Sequence, residues 1–166
     1  GTYAPTRVDL LAATGYDYLA LGHIHARQVV RESQPRIVFP GNLQGRHALE
    51  TGPKGCEIVT VQDGQLAQTE FVALDVVRWH VLTLPCQPLT DIDALRAQFL
   101  AALAVLLAGD RSRLHVVRVQ LRGESVLHQM EAVQPGLLEA ALQAGLRHWD
   151  GPKVWIERVL SELTSP

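Results

Sequence analysis

The stretch LALGHIHARQ, residues 19–28, places two histidines one residue apart, directly after an apolar run and a glycine. The residues YDYLAL (16–21) have strand character, so His23 and His25 follow the end of a strand, where Gly22 permits close approach of the backbone. In extended backbone, side chains two positions apart point to the same side, and two imidazoles on one side can bind one metal ion or two adjacent ones. The pattern therefore predicts a pair of metal ligands, with two exposed loop histidines as the alternative.

The composition of the 166-residue chain is that of a globular protein, with 47% apolar and 19% charged residues. No apolar run reaches the roughly 18 residues that span a bilayer, and the longest one, FLAALAVLLAG (99–109), is expected to form a buried helix. The formal net charge is −2, so any surface for nucleic acid has to be local. We expect no association with a membrane.

The two cysteines, Cys56 and Cys86, lack the spacing of a metal site. We expect two free thiols in a reducing compartment, with a disulfide as the alternative. The first residues do not have the basic and apolar pattern of a secretory signal. The predicted location is therefore the cytoplasm.

The first half of the chain is predicted to be rich in strands. The segment VDLLAATG (8–15) has helical apolar spacing and ends at a glycine. The Asp63–Gly64 dipeptide, between two alternating segments, is a hairpin signal. Further strands are predicted at residues 27–32, 36–39 and 78–84. These patterns define a strand-rich domain over residues 1–84.

The character of the sequence changes at PCQPLTD (85–91). A helix is predicted from residue 91 to about residue 108, with Thr90 and Asp93 resembling a capping box. The other predicted elements are strands at 113–123 and 153–160 and a helix at 135–145 between a proline and a glycine. These patterns predict an α+β domain over residues 85–166.

Two glycine-rich segments follow the histidine pair: PRIVFPGNLQGRH (35–47) and ETGPKGCEIVTV (50–61). Together with YAPTRVDLLAATGYDYLALGHIHARQ (3–28), they resemble the calcineurin-like metallophosphoesterases and, more narrowly, the SbcD-like DNA repair exonucleases. The resemblance covers residues 3 to about 62, and the segment after residue 85 is more loosely similar to the capping domain of that family.

The resemblance implies a fold and a metal site. The fold is α+β: the last strands of a four-layered metallophosphoesterase β-sandwich (αββα), followed by a smaller α+β capping domain. The site holds two divalent ions, usually manganese, with His23 ligating one ion and His25 the other. Asn42, Arg46 and His47 in the glycine-rich loop are interpreted as contacts to phosphate or DNA, with a surface salt bridge as an equal alternative for Arg46.

Other ligand motifs of the family do not occur upstream of the histidine pair. Asp-x-His and Gly-Asn-His are both absent from the sequence. Two histidines alone make a weak metal site, since each metal would need about four protein ligands. We therefore expect this chain to be the carboxyl-side part of a longer protein and to be inactive on its own.

Three functions are compatible with these patterns. The first is a metal-dependent DNA exonuclease or phosphodiesterase in DNA repair, with an SbcC-like coiled-coil ATPase as partner and homodimerisation left open. The second is a phosphoesterase for nucleotides or small phosphate esters. The third is a non-catalytic module that binds DNA or a protein partner. A basic strip that could bind DNA is predicted from four arginines, Arg111, Arg113, Arg118 and Arg122. The alternative is that these arginines lie on a solvated strand face.

The histidines outside the pair are interpreted as structural or surface residues. His80 and His115 lie in segments that alternate as strands do, and His128 and His148 have no partner at ligand spacing. No metal site is predicted from these four residues.

Overall fold

A computed structural model describes residues 5–87 and 89–166, and these residues form two compact units. The first two residues of the family-like segment 3–28 lie outside the described residues. The first unit holds the described residues up to Gln44 with Pro53–Asp75, and the second holds Gly45–Gly52 with Val76–Pro166.

The first unit begins with a short helix and a mixed three-stranded sheet. The elements are α1 (Val8–Ala12), β1 (Tyr18–Ala20), β2 (Gln28–Arg31) and β3 (Arg36–Phe39). The strand order is β1-β3-β2, with β1 parallel and β2 antiparallel to β3. Ile37 and Val38 of the central strand are fully buried, and they form the core of this small sheet.

A two-stranded sheet in the same unit is the predicted hairpin. Its strands β4 (Gly55–Gln62) and β5 (Gln65–Ala73) pair antiparallel. Asp63 and Gly64 between them have φ angles of 52° and 76°. A type I′ turn needs positive φ at both central residues, so the hairpin prediction is confirmed together with its turn chemistry.

The second unit is built on three parallel strands in the order β6-β7-β8. One helix connects the first two strands, and two helices connect the last two. The elements are β6 (Val77–Pro85), α2 (Ile92–Leu107), β7 (Leu114–Glu124), α3 (Leu127–Val133), α4 (Leu137–Leu146) and β8 (Val154–Thr164). Parallel neighbours need crossover connections of this kind.

The strand predicted at 78–84 belongs to the second unit. β6 pairs with β7 along its whole length, from Val77 opposite Leu114 to Pro85 opposite Arg122. The sequence analysis assigned this strand to the first domain, because alternation predicts a strand without identifying its partner. In the structure the second unit starts ahead of this strand, at Val76.

One face of α2 supplies much of the core of the second unit. Its buried residues recur every four positions, which places them on one side of the helix, and they are Leu95, Phe99, Leu103 and Leu107. They belong to one buried cluster with alternate residues of β7, namely Val117, Val119 and Leu121. No helix among the described residues has the length and apolar character needed to cross a bilayer.

The start of α2 differs from the predicted capping box. The N-cap is Asp91, whose carboxylate accepts a hydrogen bond of 2.8 Å from the Ala94 N–H. Thr90 lies one residue ahead of the cap, and Asp93 binds the Arg96 guanidinium instead. The prediction was wrong by one residue because Asp91, in extended backbone, is itself a preferred N-cap.

Candidate functional site

The segment that carries the histidine pair is a loop rather than extended backbone. β1 ends at Ala20, and His23 has a φ of 78°. The Ile24 N–H donates to the Gly22 carbonyl at 3.0 Å, so the chain makes a γ-turn centred on His23. The argument that extended backbone points both imidazoles to the same side is therefore wrong. A local γ-turn sets the backbone of His23, and a long-range contact holds the backbone of His25.

The Pro-Gly-Asn loop packs directly on the backbone of His25. The Asn42 N–H donates to the His25 carbonyl at 3.1 Å. A Cβ atom on Gly41 would lie 2.8 Å from that carbonyl oxygen and 3.0 Å from the Arg27 nitrogen, and Gly41 has a φ of 82°. Only glycine fits this conformation and this spacing. The GHIH and PGN motifs thus form one structural unit, which explains their joint occurrence in the sequence.

Asn42 also fixes the shape of its own loop. Its side-chain amide donates to the Gln44 carbonyl at 3.0 Å, and its main-chain carbonyl accepts from the Gly55 N–H at 3.2 Å. The backbone of Asn42 therefore lies between the His25 loop and the start of β4.

Sequence reasoning missed Lys54, which also contacts His25. Its Nζ atom lies 3.3 Å from the His25 carbonyl oxygen. Lys54 belongs to the ETGPKG motif quoted above. It was assigned no role from the sequence because lysine is not a usual metal ligand.

A cleft of about 310 Å³ lies beside His23 in the first unit. Its wall is formed mainly by one residue of α1, one residue of β3 and the loop that follows β1, and most of the side chains are apolar. The lining residues are Thr6, Leu11, Leu21, Gly22, His23, Ile24 and Phe39. One of the two candidate ligands is therefore part of the wall of a concave surface.

The described residues contain two candidate metal ligands but do not form a complete metal site. The imidazole nitrogens of His23 and His25 are ligand types that suit zinc, copper, iron or nickel. Within residues 5–87 and 89–166, no group of three or more His, Cys, Asp and Glu residues is placed to hold a metal ion. The donors fit in chemistry but not in number, because a catalytic ion takes about three protein ligands.

Arg46 and His47 lie in the second unit, whereas His23, His25 and Asn42 lie in the first. Arg46 and His47 are exposed, and their contacts within the second unit organise the segment Gly45–Gly52. The Arg46 N–H donates to the buried carboxylate of Glu50 at 2.8 Å. The His47 Nδ1 atom accepts from the Leu49 N–H at 3.2 Å.

His80, which is half-buried, and His115, which is buried, form a hydrogen-bonded pair in the second unit. The His80 Nε2 and His115 Nδ1 atoms are 3.0 Å apart, and the His115 Nε2 atom lies 2.8 Å from the Asp110 carbonyl oxygen. His115 is 1% exposed. Hydrogen bonds from Ser112 hold the pKa of the Asp110 carboxyl below its ordinary value. The structural interpretation of both histidines is confirmed.

The four arginines proposed as a basic strip each bind an acidic residue. Arg118 makes two hydrogen bonds of 2.9 Å to the Glu157 carboxylate, and these bonds lower the pKa of Glu157. The other three pairs are Arg111 with Asp150, Arg113 with Asp110 and Arg122 with Glu162. Carboxylates therefore compensate the positive charge along this sequence.

Comparison with known proteins gives a family and a relative. The family described as metallophosphoesterase YhaO, middle domain, matches residues 79–164, which run from β6 to the last residue of β8. The chain is 34% identical over 148 residues to a protein of Bacillus subtilis (strain 168) named as an uncharacterized metallophosphoesterase YhaO. The match covers 86% of this chain and 34% of the relative, so the chain spans about a third of the relative's length. No solved structure matches the chain.

Proposed function

Because this chain belongs to the YhaO metallophosphoesterase family, we propose that it contributes His23 and His25 as metal ligands to a phosphodiesterase that degrades DNA. The observation that carries this proposal is the packing of the GHIH loop against the Pro-Gly-Asn loop, through the Asn42 N–H and the His25 carbonyl. This contact builds the two family-like motifs into one rigid feature beside a cleft. The DNA substrate is supported by the similarity of residues 3 to about 62 to SbcD-like exonucleases.

The proposed site takes two divalent ions, with manganese as the expected metal. A bound divalent ion lowers the pKa of a water molecule and stabilises negative charge on a phosphodiester. His23 and His25 would each present one neutral ring nitrogen, and the Asn42 N–H would hold the His25 backbone in place. The remaining metal ligands would come from residues other than those that the structure describes, since the described residues do not complete a site.

The proposed architecture follows the same resemblance. The first unit would be the last part of a four-layered β-sandwich, and the second would be the capping domain. The match of residues 79–164 to a middle domain supports a separate role for the second unit. An SbcC-like coiled-coil ATPase as partner, a homodimer and a cytoplasmic location complete the proposal. The free thiols of Cys56 and Cys86 support a reducing compartment.

The test is manganese-dependent hydrolysis of linear duplex DNA by the intact protein that carries this chain. His25→Ala should reduce the rate by at least about 100-fold, because residues that merely orient a ligand already account for 10- to 100-fold. His128→Ala, an exposed histidine of α3, is the matched control and should keep the rate. An unchanged rate in His25→Ala would remove His25 from the site.

A second candidate function is hydrolysis of nucleotides or other small phosphate esters. The observation that favours it is the pairing of Arg111, Arg113, Arg118 and Arg122 with acidic residues, since a DNA surface needs uncompensated positive charge. Comparing turnover of duplex DNA with turnover of a small aromatic phosphodiester separates the two functions. Hydrolysis of the small ester alone would support this second candidate.

A further inference from the structure

Lys54 is a buried lysine whose ammonium contacts the backbone of a candidate metal ligand. The residue is 5% exposed, and its Nζ atom donates to the His25 carbonyl at 3.3 Å. Lysine is almost never buried to this degree without a specific partner. The partner here is a main-chain oxygen in the GHIH loop.

The main chain of Lys54 is held independently of its side chain. Its carbonyl accepts hydrogen bonds from the Leu74 N–H at 2.8 Å and the Asp75 N–H at 3.1 Å. The next residue, Gly55, opens β4. The ammonium is therefore not needed to anchor its own segment, and its contact with His25 is a separate feature.

Three segments meet in a closed cycle of contacts around the His25 carbonyl. The Asn42 N–H donates to this carbonyl at 3.1 Å, the Gly55 N–H donates to the Asn42 carbonyl at 3.2 Å, and Lys54 closes the cycle. The carbonyl thus receives two donors, which fixes the plane of the peptide bond that follows His25. The position of the His25 imidazole depends on this peptide plane.

Burial of an ammonium is unfavourable compared with burial of an apolar chain of the same length. A methionine at this position would fill similar space without the desolvation cost. Among the described residues, the partner given for the Lys54 ammonium is a main-chain oxygen, so this buried cation is better explained by the peptide that it orients than by the stability that it adds.

We propose that Lys54 is a positioning residue for His25: its ammonium, with the Asn42 N–H, orients the His25 peptide and so places the imidazole that ligates the metal. This inference rests on the proposed function for the role of His25. Lys54 acts through His25 and does not contact the metal or the substrate.

The first experiment measures amide hydrogen exchange of this chain by NMR for the wild type and Lys54→Met. Hydrogen exchange at the Asn42 amide should accelerate by about tenfold in Lys54→Met, because the Lys54 ammonium no longer holds the His25 carbonyl that accepts from this amide. The Leu74 amide, which binds the main chain of Lys54, is the internal control and should not change. Lys54→Arg, which keeps a cationic donor, should restore part of the protection at Asn42.

The second experiment measures manganese affinity by electron paramagnetic resonance, and the thermal midpoint, for the same substitutions in the intact protein that carries this chain. Lys54→Met should weaken manganese binding by about 10- to 100-fold, as expected for a group that orients a ligand, without lowering the thermal midpoint. A lysine with a merely structural role would lower the midpoint and leave the affinity unchanged. If Lys54→Met does not fold, Lys54→Gln takes its place.

The two experiments separate failure of this inference from failure of the proposed function. Unchanged exchange at Asn42 in Lys54→Met overturns the positioning role, whatever the metal data show. Absence of manganese binding in the wild type, with accelerated exchange at Asn42, overturns the role of His25 as a ligand but leaves the contact between Lys54 and His25 supported.

Discussion

His23 occupies a backbone conformation that residues with a Cβ atom rarely adopt. Its φ of 78° lies in the left-handed region, and the hydrogen bond from Ile24 to Gly22 closes a γ-turn around it. Conformations of this kind cost on the order of 1–3 kcal/mol and persist where other requirements decide the residue. Glycine would occupy the position without this cost. The histidine at this position is therefore a candidate for the ligand role proposed above.

The strain at His23 predicts an unusual order of stability among variants. His23→Gly should be more stable than His23→Ala by about 1 kcal/mol, because the positive φ at this position is unfavourable for alanine but not for glycine. Urea unfolding of this chain measures the difference, provided that the two variants have equal m-values.

Gly22→Ala is the matched control for this comparison. A Cβ atom at Gly22 meets nothing within 4 Å, and its φ is not in the left-handed region, so alanine there should be neutral or slightly stabilising. Equal stability of His23→Gly and His23→Ala would contradict the strained γ-turn.

The hydrogen bonds of His115 define the tautomers of the histidine pair. The Asp110 carbonyl can only accept, so the His115 Nε2 atom carries the proton, and His115 Nδ1 then accepts from the His80 Nε2–H. We expect the nitrogen-15 spectra of the two rings to show a proton on Nε2 of each residue. His128, exposed on α3, supplies the reference signals of a solvated ring. A proton on Nδ1 of neutral His115 would contradict this network.

At the scale of elements, the sequence predicts those with a clear apolar period and misses those without one. α2 and α4 were predicted within a few residues, since each buries several apolar side chains along one face. α3 was missed because it has seven residues, no side-chain hydrogen bond at its N-cap and only Leu127 buried. The sequence of such a short helix shows no apolar periodicity from which it could be predicted.

Asp91, the N-cap of α2, makes part of the stability of this element depend on pH. The hydrogen bond from the Ala94 N–H is the main reason that the pKa of the Asp91 carboxyl is below its ordinary value. A depressed pKa in the folded state contributes stability above the unfolded pKa, about pH 4, and this contribution is lost as pH falls through the folded value.

Asp91→Asn keeps a capping oxygen but removes this titration. We expect the variant to have a lower thermal midpoint than the wild type at pH 7, and the difference should close as pH falls through the folded-state pKa of Asp91. Thermal unfolding followed by circular dichroism between pH 7 and pH 2 measures it. Asp93→Asn, in the same turn but bound to Arg96, controls for loss of one negative charge. The same pH-dependent difference in both variants would contradict the cap assignment.

At the scale of the whole molecule, the sequence was sufficient for the residue types of the candidate site but not for its geometry. The spacing of His23 and His25 suggested two ligands, yet His23 lies in a γ-turn and the backbone of His25 contacts Gly41 and Asn42, which are distant in sequence. The division into units has the same cause. β6 reads as a strand in isolation, and only its pairing with β7 assigns it to the second unit.

The charges of the second unit show the same dependence on long-range pairing. A sequence with four arginines between residues 111 and 122 suggests a basic strip, but Arg118 and Arg122 meet Glu157 and Glu162 from β8. Ion pairs at a surface add little stability, but they reduce the positive charge that is available to a polyanion. The whole chain carries a formal net charge of −2.

We therefore expect this chain to bind duplex DNA weakly, with a shallow dependence on salt. Four free arginines on phosphates would give a slope of log K against log salt of about −3.6, at about −0.9 for each contact. We expect a slope between about −1 and zero. Fluorescence anisotropy between about 50 and 200 mM salt measures it, since phosphate contacts change the affinity strongly over this range. Glu157→Gln with Glu162→Gln should free Arg118 and Arg122 and strengthen binding at the lowest salt. Glu70→Gln with Glu139→Gln makes the same change of charge elsewhere and should strengthen binding less. A steep slope in the wild type would show that the paired arginines still contact DNA.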